Sequence, residues 1–530
     1  MRFQTNLLLF LSVLLLSNFS TAEGDNLLSL TETYFQPKNI GFVCAIGGSS
    51  HTTWVLTILD ELADRGHNVT FLTKDDGVRF GKRYPRINTV SIGPDPEIEE
   101  EVYDSIEERD NILSLFIDVI KGATSDWEKD YYALIDYFKT NKFDTVICDS
   151  FLDTCRHAAV AADIPFIITS DTSAPYINNN GVMMDDYTTE FVSLSKRFYD
   201  KFIFPANIIW NFYESFQDLS KRKKDLGITG ISTPAEDSSD SIKLINNYFG
   251  MTPARPLGPL VEQVGPIIPR KYEPLTAELE EYLDSHKRVA YVSFGQHAKP
   301  SPKTVNLILA ALIEVCEAGD LDGIIWAGSM TSDRLAQDIV TASGKTYPAA
   351  ELLENKNVDI RFVKWAPQLA VLSHPSTRVF VSHGGFGSCI EAIYKGVRMI
   401  FFPVFGDQPG NSVMIERAKT GGVLRSTMTI PEAVNIIKKI VVDDDGEVEK
   451  NLKRMQAIAQ IRSRNGAKMG ADVVEEVAFS HVDGKVPHRY EASRNISFIK
   501  AHNIDLYTIL GSIILSIRSV LKPNKKTKTQ

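Results

Sequence analysis

Short apolar runs alternate with amphipathic segments along this chain, and the alternation occurs in two separate halves. In the first half the apolar runs, which are candidate strands, are residues 40–45, 68–73, 145–149 and 165–170. Between the first two runs, apolar residues recur at helical spacing from Val55 to Leu62, and Gly66 ends the segment. Strands that alternate with helices through short connections form parallel sheets, so this pattern predicts an α/β fold.

The alternation restarts after residues 252–270, a passage rich in proline and glycine that we interpret as a linker between domains. The candidate strands of the second half are residues 288–295, 323–328, 358–363, 378–382 and 398–404. We therefore predict two doubly wound domains that face each other, at 23–251 and 271–445, followed by helices over 446–500. In such an arrangement a ligand binds in the cleft between the carboxyl ends of the strands.

The N-terminus has the composition of a secretory signal. Arg2 is followed by an apolar core at 7–16 and by small residues that end at Ala22. This order predicts a signal peptide at 1–22 that is cleaved after Ala22, with an uncleaved anchor as the alternative.

A second apolar segment lies near the C-terminus. We predict a transmembrane helix at 501–521 and a basic cytosolic tail at 522–530, which would place both domains in the lumen. An amphipathic helix that lies on the membrane is the alternative. Lys526 and Lys528 resemble a lysine-based retrieval signal, so the predicted location is the endoplasmic reticulum membrane.

Charge and cysteine content exclude some classes of protein. The net charge of −10 argues against a nucleic-acid-binding protein that depends on phosphate contacts. The five cysteines are few and odd in number, so no disulfide framework is implied. Cys44, Cys148 and Cys389 lie in apolar contexts, where we expect buried thiols. The sequence has no metal-ligand spacing, and we predict neither a metal site nor a bound cofactor.

The candidate site begins in the stretch VSHGGFGSCIEAIYKG, where an apolar run ends at glycines and a helix begins. His383, Gly384 and Gly385 follow the strand, and Ser388 lies in the first helical turn. Such a helix start offers free N–H groups and a positive dipole to an anion, and glycines allow close backbone approach. Glu391 lies on nearly the same helix face, about 12 Å further along. This separation suits a diphosphate at one end and a ribose at the other.

Two flanking segments extend the candidate site. WAPQ supplies Trp365, whose indole can stack on a planar base, and Gln368. FGDQ supplies Asp407 and Gln408 at the end of the next strand, where they can hold sugar hydroxyls. In this order and spacing, the segments resemble the donor-binding signature of the UDP-glycosyltransferases. That family contains the glucuronosyl- and glucosyltransferases that conjugate small lipophilic molecules.

The resemblance implies two facing Rossmann-like domains of the GT-B type and a UDP-sugar as co-substrate. Gln368 and Glu391 would contact the ribose, whereas His383 and Ser388 would hold the diphosphate. The implied donor-binding residues are Ser293, Gly295, Trp365, Gln368, His383, Gly384, Gly385, Ser388, Glu391, Asp407 and Gln408. The chain departs from the family at Gly387, where many members carry asparagine, and this departure leaves the donor preference open.

The catalytic pair is expected in the N-terminal half. An acceptor hydroxyl that attacks an anomeric carbon needs a base, and histidine has the right pKa range. His51 lies between the first strand and the first helix, in a segment that resembles the family's catalytic-histidine segment. Asp149 ends a later strand, where the family has an aspartate that orients the histidine. We therefore predict His51 as the base and Asp149 as its partner.

Three functions are open at this point. The first is a UDP-sugar transferase that moves glucose or glucuronate to a hydroxyl of a small lipophilic acceptor, with inversion. The second is a catalytically silent UDP-sugar-binding protein of the same fold, and the presence of His51 and Asp149 favours the enzyme over it. The third is an epimerase or a lipid-linked sugar transferase, which the signature from Trp365 to Gln408 disfavours. The acceptor depends on the irregular region at 185–240, where the sequence pattern does not define it.

Overall fold

The computed structural model describes residues 36–45, 48–96, 121–122, 124–170, 193–228, 240–252, 254, 256–295, 298–328 and 334–520. Over these residues the chain forms two sheets of parallel strands, one in each half of the sequence. The α/β prediction with two doubly wound domains is therefore confirmed.

Within the described residues the N-terminal sheet has seven parallel strands in the order β3-β2-β1-β4-β5-β6-β7. The strands are β1 (Asn39–Val43), β2 (Asn68–Thr73), β3 (Asn88–Ser91), β4 (Thr145–Asp149), β5 (Phe166–Ser170), β6 (Lys243–Ile245) and β7 (Val261–Gln263). The helices are α1 (Ser49–Asp64), α2 (Val78–Gly81), α3 (Trp127–Thr140), α4 (Asp153–Ala161), α5 (Leu194–Phe198), α6 (Phe204–Asn211) and α7 (Tyr213–Asp225), with a π-helical turn at Tyr199–Ile203. The central strands are apolar because helices cover both faces of the sheet.

The C-terminal sheet has six parallel strands among the described residues, in the order β12-β9-β8-β13-β14-β15. Its strands are β8 (Val289–Ser293), β9 (Gly323–Ala327), β12 (Ile360–Val363), β13 (Thr377–Ser382), β14 (Arg398–Phe401) and β15 (Gly421–Val423), and β10 (Asp338–Val340) and β11 (Thr346–Pro348) form a separate hairpin. The first helices are α8 (Ala277–Ser285), α9 (Pro302–Glu317), α10 (Ala349–Leu353), α11 (Gln368–Ser373), α12 (Phe386–Lys395) and α13 (Gln408–Arg417). The later helices are α14 (Ile430–Val442), α15 (Glu447–Ser463), α16 (Gly466–Ser480), α17 (Phe498–Ala501) and α18 (Ile504–Val520), with 3-10 turns at Pro487–Arg489 and Ala492–Asn495.

Strand order creates one crevice in each sheet. Strands β2 and β3 are added to one side of β1, and the following strands, beginning with β4, are added to its other side. The order of the strands along the sheet therefore reverses between β1 and β4. In the second sheet the corresponding neighbours are β8 and β13. Ligands of open α/β sheets bind beyond the carboxyl ends of strands at such reversal points.

The chain passes between the two domains twice. The first passage follows β7, a strand of the N-terminal sheet that lies inside the range 252–270 interpreted above as a linker. The second lies between α15, which packs on α12 of the C-terminal domain, and α16, which packs on α1. Arg65, after α1, donates hydrogen bonds to Asp472 and Glu475 of α16. Within the predicted 446–500 segment, α16 therefore packs with the N-terminal domain.

The expectation of a buried thiol at Cys148 is wrong, because Cys148 and Cys155 form a disulfide. Cys148 precedes Asp149 at the end of β4 and Cys155 lies on α4, with 5.7 Å between their Cα atoms. A parallel strand and the helix that follows it can bring two such residues together although the sequence spacing alone does not reveal it. Cys44 and Cys389 are buried thiols, as expected.

The terminal predictions have different outcomes. A helix does form near the C-terminus, α18, with 17 residues. Among the residues that the structure describes, no helix is long and apolar enough to cross a membrane, so the span predicted at 501–521 is not supported. The predicted signal at 1–22 and the basic tail at 522–530 lie outside the described residues.

The disulfide gives a first testable prediction. In denaturant without reductant, thiol alkylation should label three cysteines, and after reduction it should label all five. Cys155→Ala should lower the free energy of unfolding by about 2–3 kcal/mol, because a short loop of the unfolded chain is no longer closed. Labelling of all five cysteines before reduction would contradict the bond.

Candidate active site

The carboxyl ends of β1 and β4 hold the predicted catalytic pair. His51 lies in the first turn of α1, and its Nδ1 is 2.9 Å from Oδ2 of Asp149. The second oxygen of Asp149 accepts a hydrogen bond from the backbone N–H of Phe151 at 3.0 Å. Asp149 is almost fully buried, so its carboxylate has two fixed contacts and little room to move. The aspartate thus holds the imidazole through Nδ1, which leaves this bond independent of Nε2, the other ring nitrogen.

Phe151 forms an apolar wall beside this pair. Its ring centroid lies 5.0 Å from that of His51, and 65% of the residue is exposed. An exposed aromatic face next to a base offers a planar acceptor a surface to pack against.

A second histidine lies where β8 and β13 end. Ser293 and Ser382 are register partners in these neighbouring strands, and His383 follows Ser382. A β-carbon at Gly295 would lie 2.9 Å from Cε1 of His383, and one at Gly385 would lie 2.5 Å from Nε2. Glycine at both positions therefore makes the space that the imidazole occupies.

The start of α12 has the properties of an anion site. Gly384 has a φ of 84°, a conformation that favours glycine, and Gly385 is the helix N-cap. The first turn of α12 reads FGSC and contains no carboxylate. The positive end of the helix dipole therefore lies at this turn, where the backbone N–H of Phe386 donates to the carboxylate of Asp407.

One turn further along, three predicted residues meet. The amide Nε2 of Gln368, at the start of α11, donates to Glu391 Oε2 at 2.7 Å and to Ser388 Oγ at 3.2 Å. Burial raises the pKa of Glu391 to about 7, although the hydrogen bond from Gln368 opposes the shift. A carboxyl with this pKa is about half ionised at neutral pH, so its capacity to accept hydrogen bonds changes with pH in this range.

Trp365 lies apart from that cluster, at the end of β12, and 62% of it is exposed. Its indole Nε1 donates to Glu273 at 3.3 Å. Glu273 also pairs with Arg83 of the N-terminal domain, so the orientation of the indole is coupled to a contact between the domains. An exposed indole that is fixed at its edge can offer its face to a base.

Asp407 and Gln408 occupy different environments. Asp407 Oδ2 accepts from the backbone N–H of Phe386 at 3.1 Å and from the side chain of Asn411 at 2.7 Å. Burial raises the pKa of Asp407. Gln408 is only 4% exposed, and its Oε1 accepts from two backbone N–H groups of the preceding loop. As the structure has it, Gln408 therefore holds its own loop, while Asp407 faces the start of α12.

Sequence reasoning missed Asn411, a buried residue on α13. Its amide donates to Asp407 and, at 2.9 Å, to the carbonyl of Gly384, so it joins the candidate sugar and phosphate elements. Asn411 lies four residues after Asp407, and side chains at this spacing on a helix are neighbours. That spacing was the signal that could have identified it.

The two halves of the site face each other across the cleft. A β-carbon at Gly387, on α12, would lie 3.3 Å from the β-carbon of Ser50, on α1. Burial raises the pKa of Asp407, and a small electrostatic contribution from His51 of the opposite domain opposes that rise. The structure thus brings the first turn of α1, which carries His51, next to the first turn of α12, which follows His383. Within the described ranges, no group of three or more His, Cys, Asp or Glu side chains could hold a metal ion.

Solved structures share this architecture. The glycotransferase of kitacinnamycin covers 83% of this chain and 99% of its own length, with a TM-score of 0.58 and 18% identity. UGT89C1 of Arabidopsis thaliana, complexed with UDP-L-rhamnose, covers 84% and 100%, with a TM-score of 0.57 and 17% identity. Two facing parallel sheets of this kind define the GT-B class of glycosyltransferase folds.

The family model of UDP-glucoronosyl and UDP-glucosyl transferase matches residues 42–520, and the chain belongs to this family. UDP-glycosyltransferase stmC of Aspergillus ustus is 27% identical over 520 residues, which cover 89% of this chain and 94% of the relative. UDP-glucuronosyltransferase 2B7 of Homo sapiens is 22% identical over 514 residues, which cover 89% of each chain. The protein is therefore a glycosyltransferase, and a UDP-sugar is the co-substrate of its family.

Asn411 provides a prediction at the level of the site. Asn411→Ala should lower the free energy of unfolding by about 1–3 kcal/mol, because the buried carboxylate of Asp407 and the carbonyl of Gly384 each lose a donor. Urea unfolding measures the change. Glu416→Ala, an exposed position on the same helix, is the matched control and should change stability by less than about 0.5 kcal/mol. Equal effects at the two positions would contradict the bridging role.

Proposed function

We propose that the protein transfers a hexose, glucose or glucuronate, from a UDP-sugar to a hydroxyl of a small lipophilic acceptor, with inversion of the anomeric configuration. The observation that carries the proposal is the hydrogen bond between His51 and Asp149, opposite Asp407 and the start of α12. A base and an anion site on facing domains are what a direct displacement at a sugar carbon requires.

The reaction is a single displacement. His51 Nε2 accepts the proton of the acceptor hydroxyl, and the oxygen attacks the anomeric carbon from the side opposite to UDP. The bond between that carbon and the UDP oxygen breaks as the new bond forms, which inverts the configuration. Asp149 stabilises the imidazolium that results, while His383 and the N-terminus of α12 stabilise the charge that develops on the diphosphate.

In this proposal the donor lies along α12. Trp365 stacks on the uracil, Gln368 and Glu391 bind the ribose, and Asp407 binds sugar hydroxyls. Gln408 supports sugar binding by holding its loop in place. Only its Nε2 atom can contact the sugar, because Oε1 already accepts two backbone hydrogen bonds.

The acceptor is proposed to be planar and hydroxylated. Phe151 supports this class, since its exposed ring flanks the base. UGT89C1 of Arabidopsis thaliana has been solved in complex with quercetin, a molecule of this class. We also propose a location in the lumen of the endoplasmic reticulum, which the disulfide supports because such bonds persist in oxidising compartments.

The decisive experiment measures UDP release from UDP-glucose, UDP-glucuronate, UDP-xylose and UDP-N-acetylglucosamine, each with a pool of phenols and sterols. One donor should give acceptor-dependent release, and His51→Ala should lower kcat by about 10²–10⁴-fold with little change in UDP binding. His502→Ala, an exposed histidine, is the matched control. Release that is unaffected in His51→Ala would exclude this base, and UDP binding without release from any donor would favour a silent binding protein.

Glu391 gives a pH-dependent prediction. Only the ionised carboxylate accepts hydrogen bonds from both ribose hydroxyls, and its pKa in the unliganded protein is about 7. The affinity for UDP-glucose, whose diphosphate does not titrate near neutral pH, should therefore be about tenfold weaker at pH 6 than at pH 8. Isothermal titration calorimetry measures the change. In Glu391→Gln this component of the pH dependence should vanish, and an unchanged pH profile in that variant would contradict the assignment.

A further inference from the structure

The departure from the family at Gly387 coincides with a contact between the domains. Gly387 lies in the first turn of α12, and Ser50 lies in the first turn of α1. A β-carbon built on Gly387 would be 3.3 Å from the β-carbon and 3.8 Å from the α-carbon of Ser50. The first turns of these two helices therefore meet where one of them lacks a side chain.

A larger residue would be crowded at this contact. Carbon atoms pack at about 3.5–4.0 Å, so even alanine at position 387 would require Ser50 to yield by a few tenths of an ångström. Asparagine would add three more heavy atoms. Side chains on a helix point toward its N-terminus, so those atoms would extend toward the end of α12 that faces the cleft. The asparagine that many family members carry would thus hold the two first turns further apart.

The contact bears directly on the base. Ser50 precedes His51 on the same helical turn, so a displacement of Ser50 also displaces the imidazole. His51 is already close enough to Asp407 to influence its pKa. A misplacement of about 1 Å at a reacting group can lower a rate by about 10²-fold.

We propose that Gly387 is a positioning residue: its missing side chain lets α1 and α12 meet and so sets the distance between His51 and the sugar. This inference rests on the proposed function, in which His51 acts on a sugar bound at the start of α12. The choice of donor sugar at the start of α12 then depends on how closely the two domains approach each other.

The test is a cycle of variants at positions 387 and 50. With the best donor and acceptor, Gly387→Ala should lower kcat about three- to tenfold, and Gly387→Asn about 10²-fold. The dissociation constant for UDP should change less than twofold in Gly387→Ala. Ser50→Gly removes the opposing β-carbon, so the double variant Gly387→Ala with Ser50→Gly should regain most of the kcat measured for Ser50→Gly alone.

Stability measurements separate positioning from misfolding. Alanine is the better helix former, so the melting temperature of Gly387→Ala should not fall although its kcat does. Gly511→Ala in α18 is the matched control, because nothing that the structure describes lies within 4 Å of a β-carbon at Gly511. It should leave kcat unchanged.

Three results would overturn the inference. They are an unchanged kcat in both Gly387 variants, a lowered kcat that Ser50→Gly does not restore, and a loss of UDP affinity that accounts for the whole effect. An inactive wild-type protein would instead refute the proposed function, and the inference with it. The activity of the wild-type protein therefore distinguishes a failure of the proposed function from a failure of the inference about Gly387.

Discussion

Two pairs of neighbouring parallel strands determine where the functional residues lie. Parallel strands end at the same edge of a sheet. The two pairs, β1/β4 and β8/β13, are the neighbours between which the order of strands in each sheet reverses. The helices that follow each pair diverge to opposite faces and leave a crevice between them. His51 and Asp149 follow the first pair, and Gly295 and His383 follow the second. Because the two sheets face one cleft, each crevice supplies half of a single site.

Glu391 and Asp407 are buried carboxyl groups whose ionisation lowers the stability of the fold. The ordinary pKa of a glutamate is 4.5, and burial raises that of Glu391 to about 7. A carboxyl whose pKa is higher in the folded than in the unfolded state lowers stability as the pH rises from 4.5 to 7. Asp407 is shifted in the same direction by burial. Perturbed carboxyl groups in a cleft are typical of functional sites, since hydroxyl groups of a ligand can replace the water that burial removed.

The sequence predicts those parts of the molecule that depend on local pattern. The longer buried strands are apolar runs, so they were identified, and the candidate donor residues were predicted from their positions after those strands. The strands β3, β6, β7, β10, β11 and β15 were not identified, because each has only three or four residues and so short a run gives no clear apolar pattern. The bond between Cys148 and Cys155, the bridge made by Asn411 and the contact between Ser50 and Gly387 depend on how separate elements pack. The spacing of apolar residues within one segment does not reveal which residues of other segments will pack against it.

The position of the base depends on a helix that lies beyond the donor domain. α16 packs on α1, and a β-carbon at Gly470 would lie 2.5 Å from Cδ1 of Ile58, so glycine permits their close approach. Arg65 and His67 add polar contacts to Glu475 of α16. The same chain leaves the C-terminal domain through α15, which packs on α12. The helix that carries His51 and the helix that follows His383 are therefore supported by consecutive segments, 466–480 and 447–463. A rearrangement at the short turn between these segments would change the distance between His51 and the start of α12 without altering either sheet.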